Sequence, residues 1–130
     1  MVAHPPTPHW PNQARIAISF VLNYEEGGER CILHGDSESE AFLSEMPGAQ
    51  PLQGVRNMSM ESCYEYGSRA GVWRLLKLFD KYDIPLTIFA VAMAVERNPA
   101  VAKAMVEAGH EICSHGYRWI DYQYMDEVQE

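Results

Sequence analysis

The sequence predicts an α/β fold built on a parallel sheet, and three observations predict it. Short β-branched or apolar runs recur at residues 15–22, 86–91 and 111–114. Stretches with helical periodicity lie between them, near 68–81 and 98–109. Asn23, Glu25 and His115, the polar residues richest in chemistry, each fall just past the carboxyl end of a strand. Alternation of this kind implies parallel strands joined by right-handed crossovers, with ligands held beyond the strands' carboxyl ends. The element order is β, a long insertion, α, β, α, β.

Residues 15–22 alternate strictly, with Ile16, Ile18, Phe20 and Leu22 on one face. Ala17, Ser19 and Val21 share the other, and the period of two carries that face on to Asn23 and Glu25. Small residues leading to polar ones suit an inward barrel row ending at a site, and equally a strand entering a polar loop. Residues 26–67 are irregular, with glycines at 27, 28, 35, 48, 54 and 67. A segment this long without elements is functional or disordered. Phe42, Leu43, Met46, Met58, Met60, Tyr64 and Tyr66 argue against disorder, so an ordered excursion over the mouth of a site is expected. A helix over 68–81 would bury Val72, Leu75, Leu76 and Phe79. Asp83 and Pro85 end it, and 86–91 reads as a buried parallel strand. The next helix has Asn98 as N-cap, Pro99 at its first position and Gly109 past its end, with Val101, Ala102, Met105 and Ala108 as its buried stripe. Residues 111–114 form a third strand, which should leave Cys113 buried and inert, and 126–130 look like the opening of another helix.

The 130 residues carry a formal net charge of -8 with 47% hydrophobic residues, a globular composition of single-domain length. The acidic balance argues against nucleic acid, and no basic cluster offsets it. Cys31, Cys63 and Cys113 have no metal-type spacing and suit a reducing interior. The first twelve residues have no apolar core of a secretory signal, and no run reaches the roughly 18 apolar residues of a membrane span. A cytoplasmic protein with no membrane partner is the expectation. Three strands are too few to close a barrel. Residues 1–130 are therefore expected to be part of a longer domain or to be completed by a second chain, with self-association into a homo-oligomer.

The stretch Ile112-Cys113-Ser114-His115-Gly116-Tyr117-Arg118-Trp119 has the shape of a His-x-x-x-His metal turn, with Trp119 where the second histidine would stand. An indole nitrogen is a committed donor and cannot ligate metal. This turn and residues 17–29, Ala-Ile-Ser-Phe-Val-Leu-Asn-Tyr-Glu-Glu-Gly-Gly-Glu, resemble the first two motifs of the polysaccharide deacetylase (NodB homology) superfamily. Asn57-Met58-Ser59-Met60-Glu61-Ser62 and Tyr64-Glu65-Tyr66-Gly67-Ser68-Arg69-Ala70-Gly71 resemble its allantoinase-type branch, which opens the hydantoin ring of allantoin in purine catabolism. The resemblance implies the N-terminal portion of a distorted (β/α) barrel. In metal-dependent members the first strand ends in two aspartates, one the base and one a ligand, and the second motif gives two histidine ligands. Here those positions hold Asn23, Glu25, His115 and Trp119, which fits the metal-independent branch and puts a zinc-dependent deacetylase in doubt.

Splitting an amide without a metal requires side chains to activate water, steady the oxyanion and protonate the leaving nitrogen. Glu25 is the candidate base. His115 is the candidate acid, since an imidazole ordinarily titrates near neutrality. Asn23 can donate to a substrate carbonyl but cannot act as a base. Arg69 or Arg118 could bind a flat ureido group through the guanidinium fork, beside Trp119. The expected cofactor is none, with a divalent metal such as zinc as the alternative, and the expected partner is a small ureide or N-acetyl compound. Blander readings stand beside these: Glu25, Glu26 and Glu29 as a solvated acidic loop, Arg69 as structural, Asp121 as a turn brace, Met58 and Met60 as packing, and Trp119 as a packing ring filling the metal cavity. The rival functions are a metal-dependent polysaccharide or chitooligosaccharide deacetylase and a non-catalytic half-barrel.

Overall fold

The computed structural model describes residues 8–42, 44 and 46–128. Its sheet has the order β1-β2-β3, formed by β1 (Val21–Tyr24), β2 (Thr87–Ala90) and β3 (Glu111–Ser114), all parallel. Val21 pairs with Thr87 and Thr87 with Glu111, so the three strands end level at Tyr24, Ala90 and Ser114. Helices α1 (Met58–Tyr66), α2 (Val72–Lys81), α3 (Ala92–Arg97) and α4 (Pro99–Glu107) make the crossovers. Sequential parallel strands lie side by side here because each crossover returns across the same face.

That face holds the core. Tyr24, Ile88 and Ala90 turn toward the helices and bury against Val72, Leu76, Val101 and Met105. Ile88 and Val101 are fully enclosed, and side chains of this kind contribute about 1.5–3 kcal/mol each when taken from water. By the period of two, Val21, Asn23, Phe89 and Cys113 point to the opposite face. No helix covers that side among the described residues, and Val21 is 54% exposed.

Several expectations are corrected. The first strand is short: residues 15–20 pair with nothing beyond Phe20, whose carbonyl accepts from Thr87, and Ile16 and Ile18 are 67% and 68% exposed. The physical reason lies in the neighbour, since the turn after α2 occupies the place where β2 would have to extend. The helix expected from Ser68 is preceded by α1, and a π-helical turn at Gly67–Gly71 joins α1 to α2. Within α2, Val72 and Leu76 bury and Phe79 is partly buried, whereas Leu75 lies on the flank, 39% exposed. α3 is an element that periodicity did not reveal.

In α4, Val101 and Met105 carry the burial, Ala102 is half-buried and Ala108 is exposed, because the helix ends at Glu107. Gly109 takes the left-handed conformation, φ +75, as its place past the helix end requires. Asn98 precedes Pro99 as expected, but its side chain does not cap. Its Nδ2 donates instead to Tyr24 Oη at 3.2 Å and to the Ser68 carbonyl at 3.1 Å. Cys113 is half-buried on the uncovered face rather than enclosed, and Met58 is exposed while Met60 is buried. Residues 126–128 form no helix, and Gln129, Glu130 and Leu43 lie outside the described residues.

The excursion after β1 is ordered. Backbone N–H groups of Ser39, Glu40 and Gly54 donate to Leu52, Arg30 and Ser37 carbonyls at 2.9, 2.9 and 2.8 Å. Among the described residues, no helix is long and apolar enough to cross a membrane.

Candidate active site

Because the three strands end level, the residues just past them converge. Glu25 follows β1 and His115 follows β3, one step beyond Tyr24 and Ser114. The period of two turns both toward the uncovered face, where Asn23 already points. His115 Nε2 lies 2.9 Å from Glu25 Oε1, a separation at which the N–H donates to the carboxylate. Asn23 Nδ2 reaches the same oxygen at 3.5 Å. The Phe89 ring stands beside the imidazole with centroids 5.6 Å apart. Glu25 is 19% exposed and His115 38%, so both remain open to a solute.

The turn that carries His115 is fixed by its backbone. His115 N–H donates to the Ala90 carbonyl, and the Gly116 and Tyr117 carbonyls accept from Ala92 and Met93 at the start of α3. Gly116 has φ +75, and a Cβ there would meet Tyr122 Oη at 2.7 Å, so glycine suits this position. Asp121 Oδ1 accepts from Gln123 N–H at 2.9 Å and braces the following turn, as its bland reading held.

The other candidates go elsewhere. Arg118 pairs with Asp36 of the excursion, and both side chains are largely sheltered. Trp119 leans on Phe42 with ring centroids 5.7 Å apart, and its backbone N–H donates to the Gly28 carbonyl. Arg69 pairs with Glu65 on the helix and lines a separate open cleft of about 310 Å³ together with Glu26, His34, Arg97 and Asn98. The site therefore gathers Asn23, Glu25 and His115, with Phe89 behind the imidazole. Phe89 was missed, although its odd position in an alternating strand marks the same face. Asp36 was also missed, and no periodicity points to it.

A catalytic zinc takes three protein ligands and keeps a fourth position open. Among the described residues no three His, Cys, Asp or Glu side chains are placed to hold a metal ion. Glu25 and His115 direct their facing atoms at each other, and neither Asn23 nor Trp119 has the donor chemistry such a centre requires. The residues present do not fit a zinc centre.

Comparison with known proteins places this geometry in context. A crystal structure of the Puue allantoinase is 81% identical, with a TM-score of 0.90 over 98% of this chain and 42% of its own. A structure from Pseudomonas aeruginosa PAO1, described as a probable polysaccharide deacetylase, is 80% identical with a TM-score of 0.90, over 98% of this chain and 43% of its own. A Schizosaccharomyces pombe protein, named provisionally as a polysaccharide deacetylase, is 54% identical over 116 residues, 88% of this chain and 36% of its own length. The chain thus spans well under half the length of each of these relatives. The polysaccharide deacetylase family model matches residues 54–130, from the approach to α1 through the His115 turn, and the chain belongs to that family.

Proposed function

We propose that this chain carries the acid–base groups of an allantoinase-like hydrolase that opens a cyclic amide ring of the hydantoin kind. The observation that carries the reading is the 2.9 Å contact between His115 Nε2 and Glu25 Oε1 at the carboxyl ends of β1 and β3. Glu25 takes the proton of an attacking water, and His115, hydrogen-bonded to it, supplies a proton to the departing ring nitrogen. Asn23 donates its amide to the substrate carbonyl. A ring amide is a less demanding substrate for a metal-free pair than an N-acetyl sugar. The high identity to the Puue allantoinase supports the choice of substrate class. The whole reaction would use residues 1–130 as the N-terminal portion of one longer domain, acting in the cytoplasm. Arg69, Arg118 and Trp119 would bind substrate only if their present partners released them.

A second reading, a metal-dependent deacetylase with further ligands from other segments, draws support from the descriptions of the Pseudomonas and fission-yeast relatives. Turnover of allantoin by the purified protein tests both. Glu25→Gln and His115→Ala should each lower kcat/KM by about 10²–10⁴-fold, the usual range for an acid–base group, and a chelator should leave the wild-type rate unchanged. Loss of activity on chelation, with acetate released from N-acetylglucosamine oligomers, would favour the second reading. Wild-type rates from both variants would remove the proposed roles, and turnover of neither substrate would leave a non-catalytic half-barrel.

A further inference from the structure

We infer that Asp36 is a positioning residue for His115, acting through Arg118 to lock the catalytic turn against the excursion; its effect on turnover rests on the roles proposed above. The turn has two anchors. Its first half, Gly116 and Tyr117, hangs from the backbone N–H groups of Ala92 and Met93 at 3.0 and 2.9 Å. Its second half, Arg118 and Trp119, is held by the excursion at Gly28, Asp36 and Phe42. Of these, Asp36 makes the charged contact.

Asp36 is itself held firmly. Its Oδ2 accepts from the Cys31 N–H at 2.8 Å as well as from Arg118 Nη2, and its own N–H donates to the Cys31 carbonyl at 3.3 Å. It follows Gly35, whose φ of 89 closes the turn after the short helix Ile32–His34. Burial opposes the charge of Asp36, but the bonds from Arg118 and Cys31 outweigh it and hold the carboxyl below its ordinary range. On the other side, the Arg118 and Asp36 side chains are only 21% and 16% exposed, and Arg118 Nε is buried with no hydrogen-bond partner among the described residues. A sheltered guanidinium stripped of its carboxylate is costly and moves toward water. Arg118 stands three positions after His115, so that movement is transmitted along the turn. Misplacement of a reacting group by about 1 Å can cost about 10²-fold in rate.

The test combines hydrogen exchange and turnover on the purified protein, with residues 1–130 in the complete domain, carrying Asp36→Asn, Arg118→Met, or the exchanged pair Asp36→Arg with Arg118→Asp. Asp36→Asn and Arg118→Met should speed amide exchange at 117–120 while leaving β2 and α4 protected. Each should lower kcat on allantoin by about 10–10²-fold with little change in KM. The exchanged pair should recover part of both losses. Wild-type exchange at 117–120 with wild-type kcat in Asp36→Asn would overturn the inference, as would loss of protection spread evenly through β2 and α4. If Glu25→Gln and His115→Ala prove harmless while Asp36→Asn still loosens 117–120, the lock stands and the acid–base reading falls.

Discussion

Adjacent carboxylates after β1 turn to different surroundings. Glu25 faces His115, whereas Glu26 turns into the body of the protein, its Oε2 accepting from the Glu25 N–H at 3.3 Å. Burial pushes the Glu26 pKa above its ordinary 4.5, helped by the charges of Glu25 and Glu29, and the backbone bonds from Glu26 and Glu25 only partly oppose this. A carboxyl raised on folding stabilises most below its unfolded value, and that contribution is lost as pH rises through the folded one. As pH falls from neutrality through the folded pKa of Glu26, the wild type should therefore gain a stability component that Glu26→Gln lacks. Melting temperatures of both proteins across this range would check it; parallel pH profiles would refute it. Asn23, Glu25 and His115 were legible in the sequence because strand alternation and strand ends alone bring them together. The partners of Arg118 and Trp119 were not, because Asp36 and Phe42 are chosen by how the excursion folds, whereas Arg69 pairs with Glu65 four residues before it along the helix.

The elements were legible where they carry an apolar stripe and illegible where they do not. β2 and α4 emerge close to their expected bounds, since Ile88, Val101 and Met105 mark a buried side. α1 buries only Met60, and its signal was local instead: Asn57 caps the helix by accepting from the Met60 N–H, with Glu61 in the first turn. β1 was overextended because alternation over 15–20 measures a side-chain pattern and not the presence of a neighbouring strand. Where β1 gives way to the excursion, a Cβ added to Gly28 would stand 2.6 Å from Val91 Cγ1, and Val91 is fully buried. Gly28→Ala should cost about 1–3 kcal/mol by overpacking, read from urea unfolding, and Val91→Ala in the same chain should return part of it. An unchanged unfolding midpoint would show that the backbone yields there.

For the molecule as a whole, the helices lie on one side of the sheet and the polar site on the other. Ile16, Ile18 and Val21 are exposed, and the outer edge of β3 has no strand partner among the described residues. We propose that the isolated chain self-associates through the exposed apolar residues beside β1, since apolar surface at a sheet edge seeks cover. Size-exclusion chromatography should give a larger species that dissociates on dilution, and Ile18→Lys should shift it toward the monomer; a monomer at every concentration would refute this. The wide turn at Gly67–Gly71 links the excursion to the sheet layer. Met60 buries beside Cys31 and Ser39, and Val72 buries in the core. On an uninterrupted α-helix these two would diverge by about 120° around the axis, and one residue absorbed in the wider loop brings them to within about 20°. That stretch sets the phase of a single long rod, so its length, more than its chemistry, decides whether both ends can dock at once.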